Sequence, residues 1–247
     1  MRRAVLKLSG EALAEDTGEA FSDAIIDDIA GQLNEIRSLF SGIELSLVVG
    51  GGNFWRGRSS KPFLDRTRSD QIGMLGTVMN GLYLAERFKL SGLQSRVMTP
   101  FVVSTFTELF SKEKALDYMK SGEIVIHAGG TGHPFFSTDS ISALRAAELD
   151  ADCVFYAKKV DGIYDCNPDD NVNAKKFRRL TYSRIFKDQL NALDIAAMCI
   201  SQEAGTDSFV FGLNEPHSIV RAFKAADSMS ETLGTKISVA CKENYYV

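Results

Sequence analysis

The sequence predicts an α/β protein: a mostly parallel sheet covered by helices on both faces. Two patterns carry this prediction. Short apolar runs indicate strands, as in the alternation from Ile43 through Leu45 and Leu47 to Val49. Between such runs, apolar residues recur every three or four positions, as is typical of amphipathic helices. Strands that alternate with helices in this way favour parallel strand pairing.

Taken in order, the first half of the chain predicts four strands and three helices. Residues 4–8 are apolar apart from Lys7 and end at Ser9-Gly10, which indicates a strand and a glycine turn. Ser22 is a plausible N-cap of a helix that ends at Gly42. The other strands are expected at 43–49, 96–98 and 123–128, and the other helices at 70–89 and 111–119. The helix at 70–89 has the apolar stripe Ile72, Leu75, Met79, Leu82 and Phe88, and follows a polar, basic connection at 54–69.

The second half continues the alternation. A helix begins near Ile141, and a strand is expected at 153–157. Residues 169–173 are polar and predict an exposed loop. A helical segment at 181–204 has a break signal near Asn191, and a further helix spans 216–226, with a proline near its start. Strands at 208–211 and 235–239 complete the predicted sheet, and residues 242–247 carry no pattern that indicates an element.

Composition excludes several classes of protein. The chain has 247 residues, of which 45% are hydrophobic and 24% charged, and its net charge of −4 gives no general attraction to nucleic acid or to anionic membranes. Four widely spaced cysteines without a C-x-x-C motif favour a reducing, cytoplasmic environment over a disulfide framework or a zinc site. Three histidines without a ligand spacing argue against a histidine-based metal site. There is neither a signal peptide pattern nor an apolar stretch long enough to span a membrane.

One turn stands out as a candidate binding site. It lies between the apolar run 124–126 and the helical pattern 141–147, so backbone N–H groups at a helix N-terminus are available to an anion. Ligands of α/β proteins collect at such carboxyl ends of strands. The turn suits a small phosphorylated molecule with a ring, or it is simply a helix cap with a buried aromatic pair. Its residues are Thr131, Gly132, His133, Pro134, Phe135, Phe136, Ser137, Thr138 and Asp139.

Two other strand ends are also candidate sites for a phosphorylated ligand. Lys7 lies near the end of the first strand, where it is either a phosphate ligand or an edge-strand lysine. Gly50-Gly51-Gly52-Asn53 follows the second strand, and such glycines permit close approach of the backbone to a ligand or positive φ angles. The segment behind it is basic, with Arg56, Arg58, Lys61, Arg66 and Arg68. The chain lacks the P-loop motif, the G-x-G-x-x-G fingerprint and the protein-kinase motifs.

An ordered set of motifs resembles the uridylate kinase branch of the amino acid kinase family. K-L-S-G-E-A-L begins at Lys7, G-G-G-N-F-W-R-G at Gly50 and D-Q-I-G-M at Asp70. T-V-M-N-G, T-G-H-P-F-F-S-T-D and K-V-D-G-I-Y follow, from Thr77, Thr131 and Lys159. The resemblance covers the chain from Lys7 to about residue 238, and the ordered set is far more specific than any one motif.

The resemblance implies a three-layer α/β/α sandwich of the amino acid kinase or carbamate kinase type. It implies one domain over residues 1–247, with a UMP-binding lobe at about 1–155 and an ATP-binding lobe at about 156–247. The expected reaction is ATP + UMP → ADP + UDP, with Mg²⁺. A cytoplasmic homohexamer, activation by GTP and inhibition by UTP are common in the family.

The resemblance also implies roles for individual residues. Lys7 and Asp139 are the expected catalytic pair, and no protein ligand for Mg²⁺ is expected because the nucleotide phosphates hold it. The expected ATP-binding residues are Lys7, Leu8, Ser9, Gly10, Gly52, Arg56, Lys158, Tyr164 and Asn167. The expected UMP-binding residues are Gly51, Asp70, Thr131, Gly132, His133, Pro134, Phe135, Phe136, Ser137 and Thr138.

The chain departs from the family pattern at three places. His133 stands where asparagine is usual, and Asn167 replaces a common aspartate. Tyr156 and Lys158 replace the lysine and threonine of K-A-T-K, which moves a positive charge two positions along the chain, toward the expected ATP site. Three alternatives stay open at this point: a relative that phosphorylates an acyl group, a sensor that binds UMP or UTP without turnover, and a purely structural assembly protein. The last of these would leave the glycine-rich strand ends unexplained.

Overall fold

The predicted α/β fold is confirmed. The computed structural model describes residues 1–15, 18–55, 63–168, 170–190, 193–213, 215–228 and 233–246. Within these ranges, ten strands form one sheet. They are β1 (Arg3–Leu8), β2 (Glu44–Val49), β3 (Ser95–Thr99), β4 (Glu108–Leu109), β5 (Ile124–His127), β6 (Cys153–Lys158), β7 (Phe177–Thr181), β8 (Asp207–Gly212), β9 (Thr235–Ser238) and β10 (Asn244–Tyr245).

The sheet is mostly parallel, in the order β10-β7-β9-β8-β6-β1-β2-β5-β3-β4. Only the β8–β9 and β7–β10 pairs are antiparallel among the described strands. Strand β1 lies between β2 and β6, and β2 pairs in turn with β5. The carboxyl ends of these four central strands therefore meet at one edge of the sheet, where parallel α/β sheets bind ligands.

Helices cover both faces of the sheet. They are α1 (Asp23–Leu39), α2 (Arg66–Leu90), α3 (Lys112–Lys120), α4 (Thr138–Glu148), α5 (Tyr182–Asp188), α6 (Ile195–Ala204) and α7 (Ser218–Ser228) within the described ranges. Apolar residues of α1, α2 and α7 form one core cluster with the sheet. Helices α4, α5 and α6 contribute to a second cluster, and α3 to a third.

The alternation of β1 sets which residues face which layer. Ala4, Leu6 and Leu8 belong to the cluster of α1 and α7, whereas Val5 belongs to the cluster on the α4 side. Side chains alternate along a strand, so Lys7 shares the face of Val5 and points toward α4. The sheet thus places this lysine, which is buried, on the same side as the N-terminus of α4.

Helix α2 differs from its prediction in two ways. It begins at Arg66 rather than at residue 70, because the Asp65 side chain caps it by accepting a hydrogen bond from the Arg68 N–H. The predicted apolar stripe is also wrong in part, since Leu75 and Met79 are about half exposed. The buried face combines three apolar residues, Val78, Leu84 and Phe88, with the small or polar residues Ser69, Gly76, Thr77, Asn80 and Gly81.

Other differences lie in the second half. The helical segment expected at 181–204 is two helices, α5 and α6, and the predicted break at Asn191 lies outside the described residues. The sequence analysis missed β4, β7 and β10, and β10 lies in the tail that showed no pattern. None of the described helices combines the length and the apolar character that crossing a membrane requires.

Candidate active site

The Thr131–Thr138 turn joins β5 to α4 and is shaped by backbone conformations with positive φ. Gly129, Gly130 and Gly132 have φ angles of 77°, 64° and 80°, and Phe135 has 73°. Glycine adopts such angles without strain, whereas phenylalanine does so only where its surroundings hold it. Here the Phe135 N–H donates a 2.8 Å hydrogen bond to Oδ2 of Asp70.

Helix α2 holds this turn at two points. Asp70 on α2 accepts from Phe135, and both of its carboxylate oxygens also accept from the Arg66 guanidinium at 2.8 Å. About two turns further along α2, Thr77 Oγ1 accepts from the Gly129 N–H at 2.7 Å. Asp70 and Thr77 of α2 therefore position the turn, which gives a reason for polar side chains on this part of the helix.

The structure bears on both interpretations of the turn. Ser137 is the N-cap of α4, with its hydroxyl accepting from the Ser140 N–H, so the helix cap is real. The aromatic pair is not buried, because Phe135 is 67% exposed and Phe136 48% exposed. The two rings instead line a cavity of about 280 Å³, which we call the turn cavity.

The turn cavity gathers most of the residues expected to bind UMP. Its lining includes Gly51, Asp70, Thr131, His133, Phe135, Phe136, Ser137 and Thr138. Gly132 and Pro134 belong to the turn but do not line the cavity. Gly52, expected to face ATP, lines this cavity too. Sequence reasoning missed further lining residues: Trp55, Arg66, Gly73, Met74, Thr77, Gly130, Ile141 and Asp194.

Asp194 is the most informative of the missed residues. It caps α6 by accepting from the Ala196 N–H at 2.9 Å, and its other oxygen accepts from the Ser140 hydroxyl at 2.9 Å. Burial raises its pKa, but hydrogen bonds from Ser137, Ala196 and Ser140 outweigh burial, and the net shift is downward. An aspartate just before a helix is an N-cap signal, but the sequence analysis assigned Asp194 to the helical segment 181–204, with a break near Asn191, and gave it no role of its own.

The glycine turns after β1 and β2 pack directly against each other. A Cβ at Gly10 would lie 2.5 Å from the backbone nitrogen of Gly52 and 2.8 Å from the carbonyl oxygen of Gly50. A Cβ at Gly51 would lie 2.6 Å from the carbonyl oxygen of Gly73. Gly50, Gly51 and Gly52 do not have positive φ. Their absent side chains serve close approach of backbones, which was one of the two expectations.

A buried charge cluster lies at the same edge of the sheet. Asp139, in the first turn of α4, has Oδ1 3.3 Å from the Lys7 ammonium and Oδ2 2.8 Å from the Lys158 ammonium. We call these three residues the charge cluster. Burial raises the pKa of Asp139, yet the two lysines and their hydrogen bonds lower it more, so the carboxylate stays ionised. Burial lowers the pKa of Lys7, and Asp139 offsets only part of that effect.

A second cavity, of about 520 Å³, lies on the other side of the charge cluster. It is bounded by the 3₁₀ helix Gly10–Leu13, by α1 and by the connection between β8 and α7, and we call it the helix cavity. Its lining residues are Ser9, Glu11, Ala12, Ala14, Ala24, Ile25, Asp28, Ile29, Gln32, Lys158, Lys159, Leu213, Glu215, Ser218 and Ile219.

The remaining residues expected to bind ATP are less well placed for this cavity. The Tyr164 hydroxyl donates to Asp161 at 2.8 Å, and the Asn167 amide donates to Asp170 at 2.6 Å; neither residue lines the turn cavity or the helix cavity. The side chain of Leu8 is buried in the core, although its carbonyl oxygen accepts from the Gly50 N–H at 2.9 Å. Arg56 lies outside the described residues.

The model of the amino acid kinase family matches residues 2–212. The chain belongs to the amino acid kinase family. A protein of Oenococcus oeni named uridylate kinase is 39% identical over 236 residues, which are 95% of this chain and 97% of that protein.

Two solved structures are similar to this amino acid kinase over nearly their whole lengths. The UMP kinase of Bacillus anthracis has a TM-score of 0.90 at 33% identity, and the match covers 100% of this chain and 99% of that one. The UMP kinase of Ureaplasma parvum has a TM-score of 0.88 at 29% identity, covering 96% and 98%.

The structure shows where three residues that differ from the family pattern, His133, Tyr156 and Lys158, lie. His133 lines the turn cavity, and its backbone N–H donates to the Thr131 hydroxyl. Tyr156 is fully buried in β6, so burial raises its pKa far above the ordinary value, and its hydroxyl lies 3.4 Å from the carbonyl oxygen of Asp139. The positive charge is two positions further along β6, on Lys158, whose ammonium group lies 2.8 Å from Oδ2 of Asp139.

Proposed function

We propose that this amino acid kinase is a UMP kinase, which transfers the γ-phosphoryl group of MgATP to UMP and produces UDP and ADP. The observation that carries the proposal is the charge cluster, set between two cavities at the carboxyl ends of the central strands. Similarity to proteins named uridylate kinase and UMP kinase over nearly the whole chain supports the choice of acceptor.

The turn cavity is the proposed acceptor site. It combines two aromatic rings, which can enclose a flat base, with the hydroxyls of Thr131, Ser137 and Thr138 near the N-terminus of α4. A helix N-terminus favours a phosphate. UMP offers a base, a ribose and one phosphate. We assign the uracil and the phosphate of UMP to residues 131–138, and a further contact with UMP to Gly51. We assign the ribose hydroxyls to Asp70, which the ion pair with Arg66 keeps oriented.

The helix cavity is the proposed donor site. It is the larger of the two, and several of its lining residues are small or apolar, as an adenosine requires. Ser9 lines this cavity and comes directly before Gly10, whose backbone packs against Gly50 and Gly52. We assign the triphosphate to Lys7, Leu8, Ser9, Gly10, Gly52 and Arg56. Tyr164 and Asn167 stay proposed ATP ligands on the family resemblance.

The chemistry needs placement and charge neutralisation more than covalent help. An oxygen of the UMP phosphate attacks the γ-phosphorus, the bond from that phosphorus to the bridging oxygen breaks, and ADP leaves with the bonding electrons. The attacking oxygen is already anionic near neutral pH, so no general base is required. Lys7 neutralises charge on the transferred group, and Asp139 holds Lys7 in place.

Magnesium fits this arrangement through the nucleotide. Among the described residues there is no group of three histidine, cysteine or carboxylate side chains that could hold a metal ion. Both oxygens of Asp139 are engaged by lysines. We propose, on the family resemblance, that the phosphates of ATP supply the metal's main ligands, and bound Mg²⁺ would neutralise part of their charge.

Further parts of the proposal concern the assembly and its control. We propose a cytoplasmic homohexamer that GTP activates and UTP inhibits, as is common among family members. We also propose one domain over residues 1–247, with lobes that divide near residue 155. The continuous sheet supports a single domain, and the helix cavity draws residues from both lobes.

The direct test is ADP release from MgATP with UMP, CMP, dUMP, N-acetylglutamate or carbamate as the acceptor. Turnover with UMP supports the proposal, and we expect CMP to be poor because a site built for one polar pattern leaves groups unpaired with another. Turnover with an acyl acceptor would favour the acylphosphate-forming relatives. Binding of UMP without turnover of any acceptor would favour the sensor.

A variant tests the role of Lys7. Lys7→Ala should abolish turnover and leave UMP binding nearly intact, because Lys7 is absent from the lining of the turn cavity. Lys236→Ala is the matched control: Lys236 also pairs with an aspartate, Asp207, at 2.9 Å, and it lines neither the turn cavity nor the helix cavity. Activity that survives Lys7→Ala would refute the assignment of Lys7.

A further inference from the structure

The C-terminal tail, in which the sequence showed no pattern, is tied to the rest of the protein through Tyr246. It contains β10, which is an edge strand of the sheet and pairs antiparallel with β7. The Tyr246 N–H donates to the carbonyl oxygen of Lys176 at 3.0 Å. The Tyr246 hydroxyl lies 3.0 Å from the carbonyl oxygen of Leu233 and 2.8 Å from that of Gly234. The position of the ring is therefore fixed at both ends of the residue.

The Tyr246 ring covers a lysine that holds the loop after β6, residues 159–164, which we call the donor loop. The Lys176 ammonium lies 4.9 Å from the centre of the ring and 2.8 Å from Oδ2 of Asp161. A cation over an aromatic face is attracted by the ring. The other oxygen of Asp161 accepts from the Tyr164 hydroxyl at 2.8 Å. Burial raises the pKa of Asp161, but the hydrogen bonds from Lys176 and Tyr164 outweigh burial, so the carboxylate stays ionised.

A second set of contacts joins the donor loop to the segment that faces the Tyr246 hydroxyl. Thr235, the first residue of β9, follows Gly234 directly. Its hydroxyl oxygen accepts from the Ile163 N–H at 2.9 Å. A Cβ at Gly162 would lie 2.8 Å from the same oxygen. The donor loop is thus packed against β9 immediately beyond the carbonyl groups that Tyr246 contacts.

The donor loop forms part of the wall of the helix cavity. Lys159, in the loop, and Lys158, just before it, line that cavity. Leu213 lines it as well, and its N–H donates to the carbonyl oxygen of Lys158 at 3.1 Å. Gly212 packs so closely on the loop that a Cβ there would lie 3.1 Å from Cα of Asp161. A displacement of Asp161 would therefore move residues that line the proposed donor site.

We propose that Tyr246 is a positioning residue for the donor nucleotide, because it holds the donor loop through Lys176, with β9 as a second support. This proposal rests on the proposed function, which places ATP in the helix cavity, and specifies how that site keeps its shape. Tyr246 lines neither the helix cavity nor the turn cavity, so it acts through its neighbours. A loop that is already held in place loses less freedom when a ligand binds. Loss of Tyr246 should therefore weaken binding of the donor and leave the acceptor unaffected.

The test is Tyr246→Leu, which removes the ring and the hydroxyl but keeps an apolar side chain. We expect the KM for ATP to rise about three- to tenfold, which is no more than the loss of one cation–π contact accounts for. The kcat and the KM for UMP should change little, because a positioning contact in the donor site acts on the binding of ATP alone. Tyr246→Phe keeps the ring over Lys176, so its KM for ATP should lie between those of the wild type and the leucine variant.

Tyr118→Leu is the matched control. The Tyr118 ring also faces a cation, the Arg96 guanidinium at 5.0 Å, and its hydroxyl donates to Glu108 at 3.0 Å. Tyr118 lies on α3 and lines neither the helix cavity nor the turn cavity. Its variant therefore reports the general effect of losing such a contact. An equal KM for ATP in the two leucine variants, or a loss spread over kcat and the KM of both substrates, would overturn the proposal.

A double-mutant cycle tests the connection through Lys176. Lys176→Met removes the ammonium between the Tyr246 ring and Asp161, so Tyr246→Leu should raise the KM for ATP less in that background than in the wild type. An equal rise in both backgrounds would overturn the connection. Thermal unfolding checks that each variant folds. If Tyr246→Leu does not fold, Tyr246→Phe and Tyr118→Phe carry the same comparison.

Calorimetry with ADP keeps the two proposals distinct, because it requires no turnover. If the wild type binds ADP but transfers no phosphoryl group to UMP, the proposed function fails, and weaker ADP binding by Tyr246→Leu than by Tyr118→Leu still supports the role of Tyr246. If the wild type is active and the two leucine variants bind ADP equally, only the role of Tyr246 fails. A wild type that shows neither turnover nor ADP binding would overturn both.

Discussion

Replacing Asp139 with asparagine removes the one carboxylate of the charge cluster. Asparagine has nearly the same shape, so the change isolates the charge. The Lys7 side chain is 9% exposed and cannot reach water, whereas the Lys158 side chain, at 21%, can turn outward. One buried ammonium is then left without a counter-ion. Breaking a buried pair costs roughly 3–5 kcal/mol, and because Lys158 relaxes we expect the low end, about 3 kcal/mol.

Urea unfolding followed by circular dichroism measures this loss directly. For a protein of this size, about 3 kcal/mol corresponds to a fall in Tm of roughly 6–12 °C. Asp207→Asn is the control, because it breaks the more exposed Lys236–Asp207 pair and should cost no more than about 1 kcal/mol. A loss from Asp139→Asn no larger than that of the control would refute the reasoning.

The pH dependence gives a second check on the same variant. Burial already lowers the pKa of Lys7, and removing Asp139 removes the main effect that raises it. Below the pKa of lysine in the unfolded chain, the folded variant therefore binds fewer protons than the unfolded one, and its stability rises with pH. The deficit relative to the wild type should shrink between neutral and alkaline pH, and a deficit that grows would contradict this account.

Three further predictions concern single contacts. Gly10→Ala should abolish phosphoryl transfer in the ADP-release assay, because its Cβ would lie 2.5 Å from the Gly52 nitrogen; full activity would contradict the close packing of the two turns. Tyr182→Phe should lower the free energy of unfolding by about 1–3 kcal/mol without changing kcat, because the buried hydroxyl lies 2.7 Å from Ser208 Oγ and from a backbone carbonyl. His127→Phe should reduce the loss of stability on acidification, since burial lowers the pKa of His127 to about 3 and its two ring nitrogens have no hydrogen-bond partner within the part of the chain that the structure describes. The folded wild type binds fewer protons than the unfolded chain between about pH 3 and 6.5, so its stability falls as the pH falls through that window. Urea titrations at several pH values measure the free energy of unfolding against pH. The same slope in the variant and the wild type would contradict this account.

Local patterns predicted much of the fold because they depend on neighbouring residues alone. The helical spacing in α1 follows from burying one face, and both α1 and β2 lie close to where the patterns predicted them. Strand β2 is buried on both faces, with Leu45, Leu47 and Val49 in one core cluster and Val48 in another. Helix α2 was harder, because its buried face carries Thr77, Asn80 and Gly76, which contact the neighbouring turns. Their polarity has a reason only when the turns are in place.

The candidate site was predictable to the same extent. The motifs drew attention to Lys7, to the glycines after β2 and to the Thr131–Asp139 turn, and the fold brings all three to one edge of the sheet. Asp194 was missed because its contacts with the turn are hydrogen bonds from Ser137 and from Ser140, the latter 54 positions earlier in the chain. A contact of that separation leaves no local pattern.

The sequence by itself determined the fold class, the strand ends that carry the chemistry and the resemblance to a kinase family, because each of these is recorded in short runs of residues. Only the tertiary structure decided that Lys7 and Lys158 both pair with the Asp139 carboxylate. These three residues come from elements far apart in the chain. Because β1 and β6 are neighbours in the sheet and α4 packs on one face, both ammonium groups lie within 3.3 Å of that carboxylate. A buried charge is stabilised by what surrounds it in space, and that surrounding forms only when the chain has folded.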